Sequence, residues 1–277
     1  MDDKTFSEII NLITQTTGII PRDSHILGIK NFINKRIIQL SAPKSQQTFN
    51  YLEYLKHNNN ELLCLINNAT VNETYFFREE LQFKLFKDKL IEEIKRFKNY
   101  NKFAPVRIWS AAASSGEEIY SLYLLMNSMD IECECTASDI NTQVLNICSN
   151  GIYKKNSLRS VDGHEFHYLL NDYKRPDGSI EIPKSIRHKI LRKQINLAKL
   201  QDFPHNQDVI FLRNVFIYFS QETKKNILYK IASESLAPGG YLFLSMNEVP
   251  SIDSSILPEN LEKKSDGKIF YFQKRLK

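Results

Sequence analysis

The sequence predicts an α/β protein that consists of a small helical N-terminal domain and a larger domain built on a mostly parallel sheet, with a small β-subdomain inserted into the larger one. Three observations predict this fold class. Apolar residues recur at helical spacing through the first quarter of the chain, strands and helices alternate after it, and that alternation lapses beyond Gly151 before it returns. We expect domains at 1–75 and 76–277, with the insert at about 153–195.

Four helices are expected in the N-terminal domain. Its apolar residues fall three and four positions apart, which places them on one face of a helix, and turn signals lie at Thr17-Gly18 and Pro21-Arg22. The helices are expected around residues 6–13, 29–40, 47–56 and 61–69. A further charged amphipathic helix at about 79–98 is expected to link this domain to the next one.

The second domain begins after Pro105 with strands separated by helices, which is the order of a parallel sheet covered by helices. Its strands are expected at 106–110, 133–138, 208–212, 241–245 and 268–273, and its helices at 119–129, 142–150 and 221–235. Within the insert, a turn and a short strand are expected at 178–183.

Composition limits the classes of function. The chain has 277 residues, of which 42% are hydrophobic and 25% charged, as in ordinary globular proteins. It has no apolar run of about 20 residues, so we expect no membrane insertion, and its acidic start lacks the features of a secretory signal, so we expect a cytoplasmic protein. The net charge of +5 is spread along the chain, which suits an acidic protein partner and gives no support for nucleic acid.

The cysteines and histidines indicate no metal site. The four cysteines are unevenly spaced, and the pair Cys133 and Cys135 has no second pair at zinc-ligand spacing. The six histidines form no cluster in the sequence. We therefore expect reduced thiols and no bound metal.

The most informative polar residues follow the first two expected strands. Ser110 leads into a run of small residues that reaches Gly116 and opens a helix, and small side chains let a ligand approach the backbone. Asp139 ends the second strand 23 residues after Gly116, near the separation of about 20 at which an acidic residue binds a ribose. It could equally cap the next helix. The G-x-G-x-x-G and P-loop patterns are absent, so a nucleoside cofactor without pyrophosphate is indicated.

Four motifs in order carry a family resemblance: NETYFFRE at 72–79, WSAAASSGEE at 109–118, ASDI at 137–140 and RNVFIYF at 213–219. Together they resemble the chemoreceptor glutamate O-methyltransferase (CheR) family over nearly the whole chain. The resemblance implies a helical N-terminal domain, a Rossmann-like class I S-adenosylmethionine-dependent methyltransferase domain, and a small β-subdomain inserted after the Gly-Ile-Tyr at 151–153.

The resemblance also implies site residues. Glu118, with Glu117 as a neighbour, would bind the amino group of the methionine moiety, and Asp139 would bind the ribose hydroxyls. Arg78 and Tyr218 would be the catalytic residues that orient the acceptor beside the transferred methyl group. The implied cofactor-binding residues are Asn72, Thr74, Arg78, Glu118, Asp139, Asn196, Leu197, Arg213 and Asn214.

The implied reaction transfers the methyl group of S-adenosylmethionine to glutamate side chains in the cytoplasmic helical domain of methyl-accepting chemotaxis receptors, leaving S-adenosylhomocysteine. A glutamate with its ordinary pKa of about 4.3 is already an anion at neutral pH and needs no general base. Catalysis should therefore consist chiefly of holding the carboxylate oxygen about 3 to 3.5 Å from the methyl carbon, in line with the departing sulfur.

Two other functions fit a Rossmann-like cofactor domain. The first is a methyltransferase that acts on RNA or a small molecule, because this fold does not determine the substrate. The second is a signalling module that binds the cofactor without turnover. The presence of Arg78 and Tyr218 argues against the second function.

The chain departs from the family pattern at three places. Relatives that dock on a receptor's C-terminal pentapeptide carry a Gly-x-Gly turn in the β-subdomain, but residues 171–176 read NDYKRP here, so we expect methylation without pentapeptide docking. The second helix keeps Lys35 and Arg36, which we expect to attract an acidic receptor, but has fewer basic residues than relatives. The turn SMNE at 245–248 replaces Gly-x-Ser-Glu, and we assign it no role. We expect a monomer.

Overall fold

The N-terminal domain contains four helices in a computed structural model that describes residues 2–41, 50–98, 104–159 and 163–276. The first helix begins where the Asp2 side chain accepts a hydrogen bond from Thr5 N over 2.8 Å, and it ends at Gly18, whose φ is 75°. Residues 47–49, predicted as the start of the third helix, lie outside the described residues. The helices are α1 Asp3–Thr17, α2 Asp23–Ser41, α3 Tyr51–His57 and α4 Asn59–Ala69.

The helical stretch predicted at 79–98 is present, and it packs on the sheet of the second domain as well as linking the two domains. It consists of α5 Glu80–Leu85, a π-helical turn at Phe86–Leu90, and α6 Ile91–Phe97. Its apolar side is buried in the core of the second domain, and Gln82 donates from its side chain to the carbonyl of Leu244 over 2.8 Å.

The second domain has a seven-stranded sheet in the order β5-β2-β1-β6-β7-β9-β8. The first five strands in this order are parallel, and β9 runs antiparallel to both of its neighbours. The expected α/β fold class is therefore confirmed. The strands are β1 Val106–Ala111, β2 Cys133–Asp139, β3 Ile152–Tyr153, β4 Ile180–Glu181, β5 Ile190–Gln194, β6 Gln207–Phe211, β7 Leu236–Phe243, β8 Leu261–Asp266 and β9 Ile269–Lys274.

Helices cover both faces of this sheet. Alternate residues of β6 point to opposite faces, so Phe211 lies in one apolar core and Leu212, just after the strand, lies in the other. The helices of this domain are α7 Glu117–Ser128, α8 Thr142–Asn150, α9 Lys184–Arg187 and α10 Gln221–Lys230, which continues as a π-helical turn at Ile231–Ser235.

Both edge strands of the large sheet differ from the sequence prediction. β5 lies beside β2 in the large sheet, although its residues fall in the range predicted as the insert. β8 is not predicted as a strand at all. The small separate sheet pairs only β3 with β4, two residues each, and a 3-10 helical segment at His164–Tyr173 lies between them in the chain.

The chain direction across the sheet locates the expected binding crevice. From β1 the chain moves outward to β2 and β5, and then it returns to β6 and proceeds to β7 on the other side. Because ligands of open α/β sheets bind where the strand order reverses, the crevice is expected at the carboxyl ends of β1 and β6.

Candidate active site

A cavity of about 1000 Å³, which includes solvent at its mouth, lies at the carboxyl ends of β1 and β6. The N-terminal domain forms part of its wall through residues of the α1–α2 connection and the end of α4. All ten residues that the sequence assigns to the site line this cavity: Asn72, Thr74, Arg78, Glu118, Asp139, Asn196, Leu197, Arg213, Asn214 and Tyr218.

The loop after β1 is bound tightly to the end of β2. The backbone N–H groups of Ala112 and Ala113 both donate to Ser138 O, over 2.9 and 2.8 Å, and Ser114 N donates to Asp139 Oδ2 over 2.9 Å. Ala112 and Ser114 have positive φ angles of 75° and 49°, a strained conformation for residues with a side chain. Strain of this kind is typical of ligand-binding loops, where the surrounding structure holds it in place.

Asp139 is almost fully buried at the cavity wall. Its second carboxylate oxygen accepts a hydrogen bond from Asn141 N over 2.9 Å. Burial raises the pKa of Asp139, and the N–H groups of Asn141 and Ser114 oppose that increase. Asp139 therefore orders the turn before the next helix, whose N-cap is Asn141, and it also borders the cavity.

Glu118 lies at the wall in a buried ion pair. One of its carboxylate oxygens accepts from Ser110 Oγ over 2.6 Å, and the other accepts from Arg213 Nε over 2.6 Å. The Arg213 guanidinium also donates to the carbonyl of Arg78 and to the Gln82 side chain, over 2.7 and 3.0 Å. Arg213 thus joins the carboxylate to the segment that carries Arg78.

Glu117, the residue before Glu118, is hydrogen-bonded to serine hydroxyl groups and not to an arginine. Its carboxylate accepts hydrogen bonds from the hydroxyl groups of Ser115 and Ser157, over 2.6 and 2.9 Å. Burial raises the pKa of Glu117, and these hydroxyl groups oppose the increase. Glu117 therefore connects the loop after β1 to the segment after β3.

The segment that carries Asn72, Thr74 and Arg78 crosses the cavity between the two domains. The Asn72 carbonyl accepts from Ser114 Oγ over 3.0 Å, which attaches the segment to the loop after β1. Arg78 Nη1 donates to the Glu73 carbonyl over 2.8 Å, and the guanidinium carbon lies 5.5 Å from the centre of the Tyr75 ring. Arg78 is therefore held in place without a carboxylate partner among these contacts.

Asn196 and Leu197 follow β5 and also line the cavity. The Asn196 side chain donates to Thr16 O over 3.0 Å and accepts from Ala198 N over 3.0 Å. Leu197 is buried. Asn196 thus connects the two domains at the cavity wall.

The loop after β6 holds Asn214 in the left-handed region, with φ of 58°. The buried Glu248 carboxylate accepts from Asn214 N over 2.8 Å, from Ser245 N over 3.1 Å and from Ile217 N over 3.3 Å. Burial raises the pKa of Glu248, and these N–H groups oppose the increase. Glu248, to which the sequence assigned no role, therefore determines the shape of the loop that ends at Tyr218.

A second carboxylate supports the same loop. Asn214 Nδ2 donates to Ser245 Oγ over 2.9 Å, and Ser245 Oγ in turn donates to Glu79. Glu79 also accepts from Met246 N over 3.1 Å. Because Glu79 follows Arg78 directly, this network connects the segment of Arg78 to the loop of Tyr218.

Tyr218 lies at the mouth of the cavity and is half-buried. The guanidinium carbon of Arg22 lies 5.5 Å from the centre of its ring, and the His25 ring contacts it edge-on at 6.5 Å. Burial raises the pKa of Tyr218, and the positive charges of Arg22 and Arg78 oppose the increase. The phenol is therefore protonated at neutral pH.

Residues 72–262 match the model of the CheR methyltransferase SAM-binding domain. The chain belongs to the CheR methyltransferase family. It is 34% identical to chemotaxis protein methyltransferase 2 of Vibrio cholerae, with 96% of this chain and 92% of that protein aligned. The chemotaxis protein methyltransferase of Escherichia coli is 32% identical, with 90% of this chain and 85% of that protein aligned. That of Borreliella burgdorferi is 29% identical, with 87% of each chain aligned.

This CheR-family protein is an S-adenosylmethionine-dependent methyltransferase, and the cavity fits that cofactor. A ribose needs an acceptor for its hydroxyl groups, and Asp139 supplies a carboxylate at the end of β2. An ammonium group needs charged acceptors, and Glu118 supplies one. The small residues Ala112 and Ala113 leave room along the wall between them.

The sequence predicted none of the roles that Arg22, His25, Glu79 and Glu248 have in the CheR-family site. Arg22 falls in a segment that signals only a turn, and Glu248 falls in a turn that departs from the family pattern. Their contacts arise from packing between distant segments, which a single sequence does not show.

No three His, Cys, Asp or Glu residues in the described parts of the chain form a group that could hold a metal ion.

Proposed function

We propose that this CheR-family enzyme transfers the methyl group of S-adenosylmethionine to glutamate side chains of chemoreceptors, forming methyl esters that serve chemotactic adaptation. The relatives named chemotaxis protein methyltransferases support this proposal. The structural observation that carries it is the set of charged groups that share one cavity. The carboxylates of Asp139 and Glu118 line it and are buried, and Arg78, Arg22 and the Tyr218 phenol line the same cavity and are partly or fully exposed.

Each end of the cavity suits one part of the cofactor. Asp139 would accept hydrogen bonds from the ribose hydroxyls, and Glu118 would accept them from the ammonium group of the methionine moiety. Asn196 and Leu197 would border the adenine. The other cofactor-binding residues in the proposal are Asn72, Thr74, Arg78, Arg213 and Asn214.

When bound, S-adenosylmethionine supplies an electrophilic methyl group on a positively charged sulfur. The acceptor glutamate is an anion at neutral pH, so the enzyme needs to align it and not to deprotonate it. The protonated Tyr218 phenol can donate a hydrogen bond to the carboxylate oxygen that does not attack. Arg78, held by the Glu73 carbonyl, can orient the carboxylate by its charge without a tight bidentate pair, which would draw charge from the attacking oxygen.

The proposed partner is the helical cytoplasmic domain of a methyl-accepting chemotaxis receptor. We propose that the enzyme binds it as a monomer in the cytoplasm. Within the described parts of the chain, no helix combines the length and apolar character that crossing a membrane requires. The exposed lysine Lys35 on α2 is available to an acidic receptor surface.

The test is incorporation of a labelled methyl group from S-adenosylmethionine into a purified receptor cytoplasmic fragment, followed by alkali. Methyl esters release labelled methanol in alkali, whereas methylated bases and amines do not. We expect alkali-labile label with the receptor fragment and none with RNA. Alkali-stable label, or label on RNA alone, would contradict the proposal.

Tyr218→Phe tests the proposed catalytic role directly. We expect kcat to fall at least about tenfold, because the hydrogen-bond donor is lost, while the affinity for S-adenosylhomocysteine stays within about twofold. Tyr229→Phe is the matched control, because Tyr229 is an exposed tyrosine on α10, and it should keep the original kcat. An unchanged kcat in Tyr218→Phe would remove this residue from the mechanism.

A further inference from the structure

We propose that Arg22, with His25 beside it, recognises the negative charge of the acceptor glutamate at the mouth of the cavity. The inference rests on the proposed function, since it concerns the carboxylate that this function methylates. It gives the N-terminal domain a direct part in the active site. Both residues line the cavity, and both contact the face or edge of the Tyr218 ring.

The backbone that carries Arg22 is fixed to the methyltransferase domain. Ile20 N donates to Tyr218 O over 2.8 Å, so the α1–α2 connection is hydrogen-bonded to the loop after β6. Gly18 lies against Ala198, and any side chain at Gly18 would collide with the Ala198 side chain. Arg22 lies four residues after the contact at Gly18 and two residues after the hydrogen bond of Ile20. These two interdomain contacts restrict where its guanidinium can lie.

The charge of Arg22 is available to a ligand. Its side chain is exposed, and it takes part in none of the ion pairs found within the described residues. The acidic side chain that also lines the mouth, Glu73, is paired with Arg159 over 2.7 Å. Arg22 of the N-terminal domain thus lies over the Tyr218 ring. The positive charge of Arg78 acts on the same phenol from the methyltransferase domain, and the negative charges of Glu248 and Glu73 act on it in the opposite direction. Of these two carboxylates, Glu248 accepts backbone N–H groups and Glu73 is paired with Arg159.

Two cations near the phenol select for a charged acceptor. A carboxylate is attracted by both guanidinium groups, whereas a glutamine side chain or the neutral methyl ester of the product is not. Arg22 should therefore favour glutamate over glutamine at the acceptor position and favour release of the ester. Arg78 gives one of its N–H donors to the Glu73 carbonyl, whereas the described residues contain no hydrogen-bond acceptor for the Arg22 side chain, so Arg22 adds a second cation with free donors for the acceptor.

The experiment compares two receptor cytoplasmic fragments, one with glutamate and one with glutamine at a methylated position that has first been mapped by mass spectrometry. Binding of each fragment to the full-length enzyme saturated with S-adenosylhomocysteine is measured by calorimetry, and methyl transfer to the glutamate fragment is measured by alkali-labile label. The variants are Arg22→Ala, Arg22→Gln and Arg22→Lys. Arg107→Ala is the control, because Arg107 is a partly exposed arginine at the start of β1, away from the cavity.

We expect Arg22→Ala and Arg22→Gln to raise KM for the glutamate fragment about tenfold and to reduce the preference for glutamate over glutamine by a similar factor. Arg22→Lys should recover part of both effects. Affinity for S-adenosylhomocysteine and the midpoint of thermal unfolding should not change. Arg107→Ala should behave as the unmodified enzyme.

Three results would overturn the inference while leaving the proposed function intact. In the first, the unmodified enzyme forms methyl esters, and the Arg22→Ala variant has the same KM and the same preference for glutamate as the unmodified enzyme. The second is equal weakening of glutamate and glutamine fragments, which would make Arg22 a general receptor contact. The third is loss of S-adenosylhomocysteine affinity by the same factor as the rise in KM. Absence of methyl esters with the unmodified enzyme would instead refute the proposed function.

Discussion

The Arg213 guanidinium donates from Nε to Glu118 over 2.6 Å, and both side chains are almost fully withdrawn from solvent. Arg213 also binds the carbonyl of Arg78. It therefore influences the cavity by holding a carboxylate and the segment of a proposed catalytic residue, in addition to forming part of the wall.

Arg213→Met should weaken both folding and cofactor binding. The substitution leaves the buried Glu118 carboxylate without its cation, which should lower the free energy of unfolding by about 3 to 5 kcal/mol. The carboxylate also loses its orientation, so the affinity for S-adenosylhomocysteine should fall by about tenfold or more. Urea unfolding and calorimetry measure the two effects.

The double variant Arg213→Met/Glu118→Gln is the control for this interpretation. It leaves neither charge buried alone, so it should be more stable than Arg213→Met by itself, although its cofactor affinity stays low. The free energy of unfolding lost in the double variant is compared with the sum of the losses in Arg213→Met alone and Glu118→Gln alone. If the loss equals that sum, Arg213 and Glu118 are not coupled.

Glu248→Gln should slow catalysis more than it weakens cofactor binding. The carboxylate accepts three backbone N–H groups around Asn214, and glutamine would turn one amide N–H₂ group toward those donors. The loop should loosen, kcat should fall about tenfold, and the free energy of unfolding should fall by about 1 to 3 kcal/mol. Steady-state kinetics and urea unfolding test this.

Glu234→Gln provides the comparison for Glu248→Gln. Glu234 is a partly exposed carboxylate paired with Lys230, so its neutralisation should change kcat and stability little. A Glu248→Gln enzyme with lower stability and an unchanged kcat would show that Glu248 supports the fold but not the position of Tyr218.

The central parallel strands β2, β1, β6 and β7 were predictable because short stretches of mostly small or apolar residues alternate with helical segments in the chain. The edge strands were not. β5 reads ILRKQ and β8 reads LEKKSD, and such charged sequences are common on sheet edges, where they prevent pairing with other chains. Without an apolar run, their strand character depends on neighbours such as β2 and β9.

The site residues differ in how far the sequence could identify them. Asp139 and the loop before Gly116 could be found from spacing alone, because both follow predicted strands whose carboxyl ends meet. Arg78 and Tyr218 needed the family resemblance. Glu248 and Arg22 could not be found, since their importance depends on backbone donors and on a ring from distant parts of the chain.

Cofactor affinity should decline as the pH falls, because of Asp139. Burial raises the pKa of this carboxyl above its ordinary value, and only the carboxylate accepts from both ribose hydroxyls. Protonation as the pH falls through this raised pKa therefore removes an acceptor. Calorimetric titration with S-adenosylhomocysteine at successively lower pH, over the range in which the enzyme stays folded, should show the decline, and Asp139→Asn should bind weakly with a smaller pH dependence.

The effect of Asp139 on stability should have the opposite sign. A carboxyl whose pKa is higher in the folded state binds more protons there than in the unfolded state, so its contribution to the free energy of unfolding increases as the pH falls. Burial raises the pKa values of Glu117 and Glu248 in the same direction. An affinity decline that coincides with unfolding, followed by circular dichroism, would count against Asp139 as its cause.

The basic residue of α2 that we expect to attract the receptor is Lys35 and not Arg36. Lys35→Glu is therefore the substitution that tests this attraction. Arg36 forms two hydrogen bonds with the buried Glu61, over 2.9 and 2.6 Å, and Tyr51 donates to the same carboxylate. This cation lowers the pKa of Glu61. Arg36 is therefore committed to the helical domain, whereas Lys35 is exposed.

Arg36→Glu should lower the free energy of unfolding by about 3 kcal/mol or more, because it places two carboxylates together. Lys35→Glu should leave stability and S-adenosylhomocysteine affinity unchanged and reduce methylation of the receptor fragment several-fold, most strongly at low salt. Equal methylation by Lys35→Glu and the unmodified enzyme at low salt would exclude this face of α2 as a receptor contact.

Methylation should not require a C-terminal pentapeptide on the receptor. Where docking relatives carry Gly-x-Gly, this chain ends a 3-10 helical segment at Tyr173 and then pairs Arg175 with Glu181 of β4. The insert sheet has only two residues in each of its strands, which leaves little edge for an added peptide strand. Receptors with and without their C-terminal tail should therefore be methylated with the same kcat/KM within about twofold, and the free pentapeptide should give no binding heat in a preparation that binds S-adenosylhomocysteine. Micromolar peptide binding, or much slower methylation of the shortened receptor, would show that the enzyme docks through another edge.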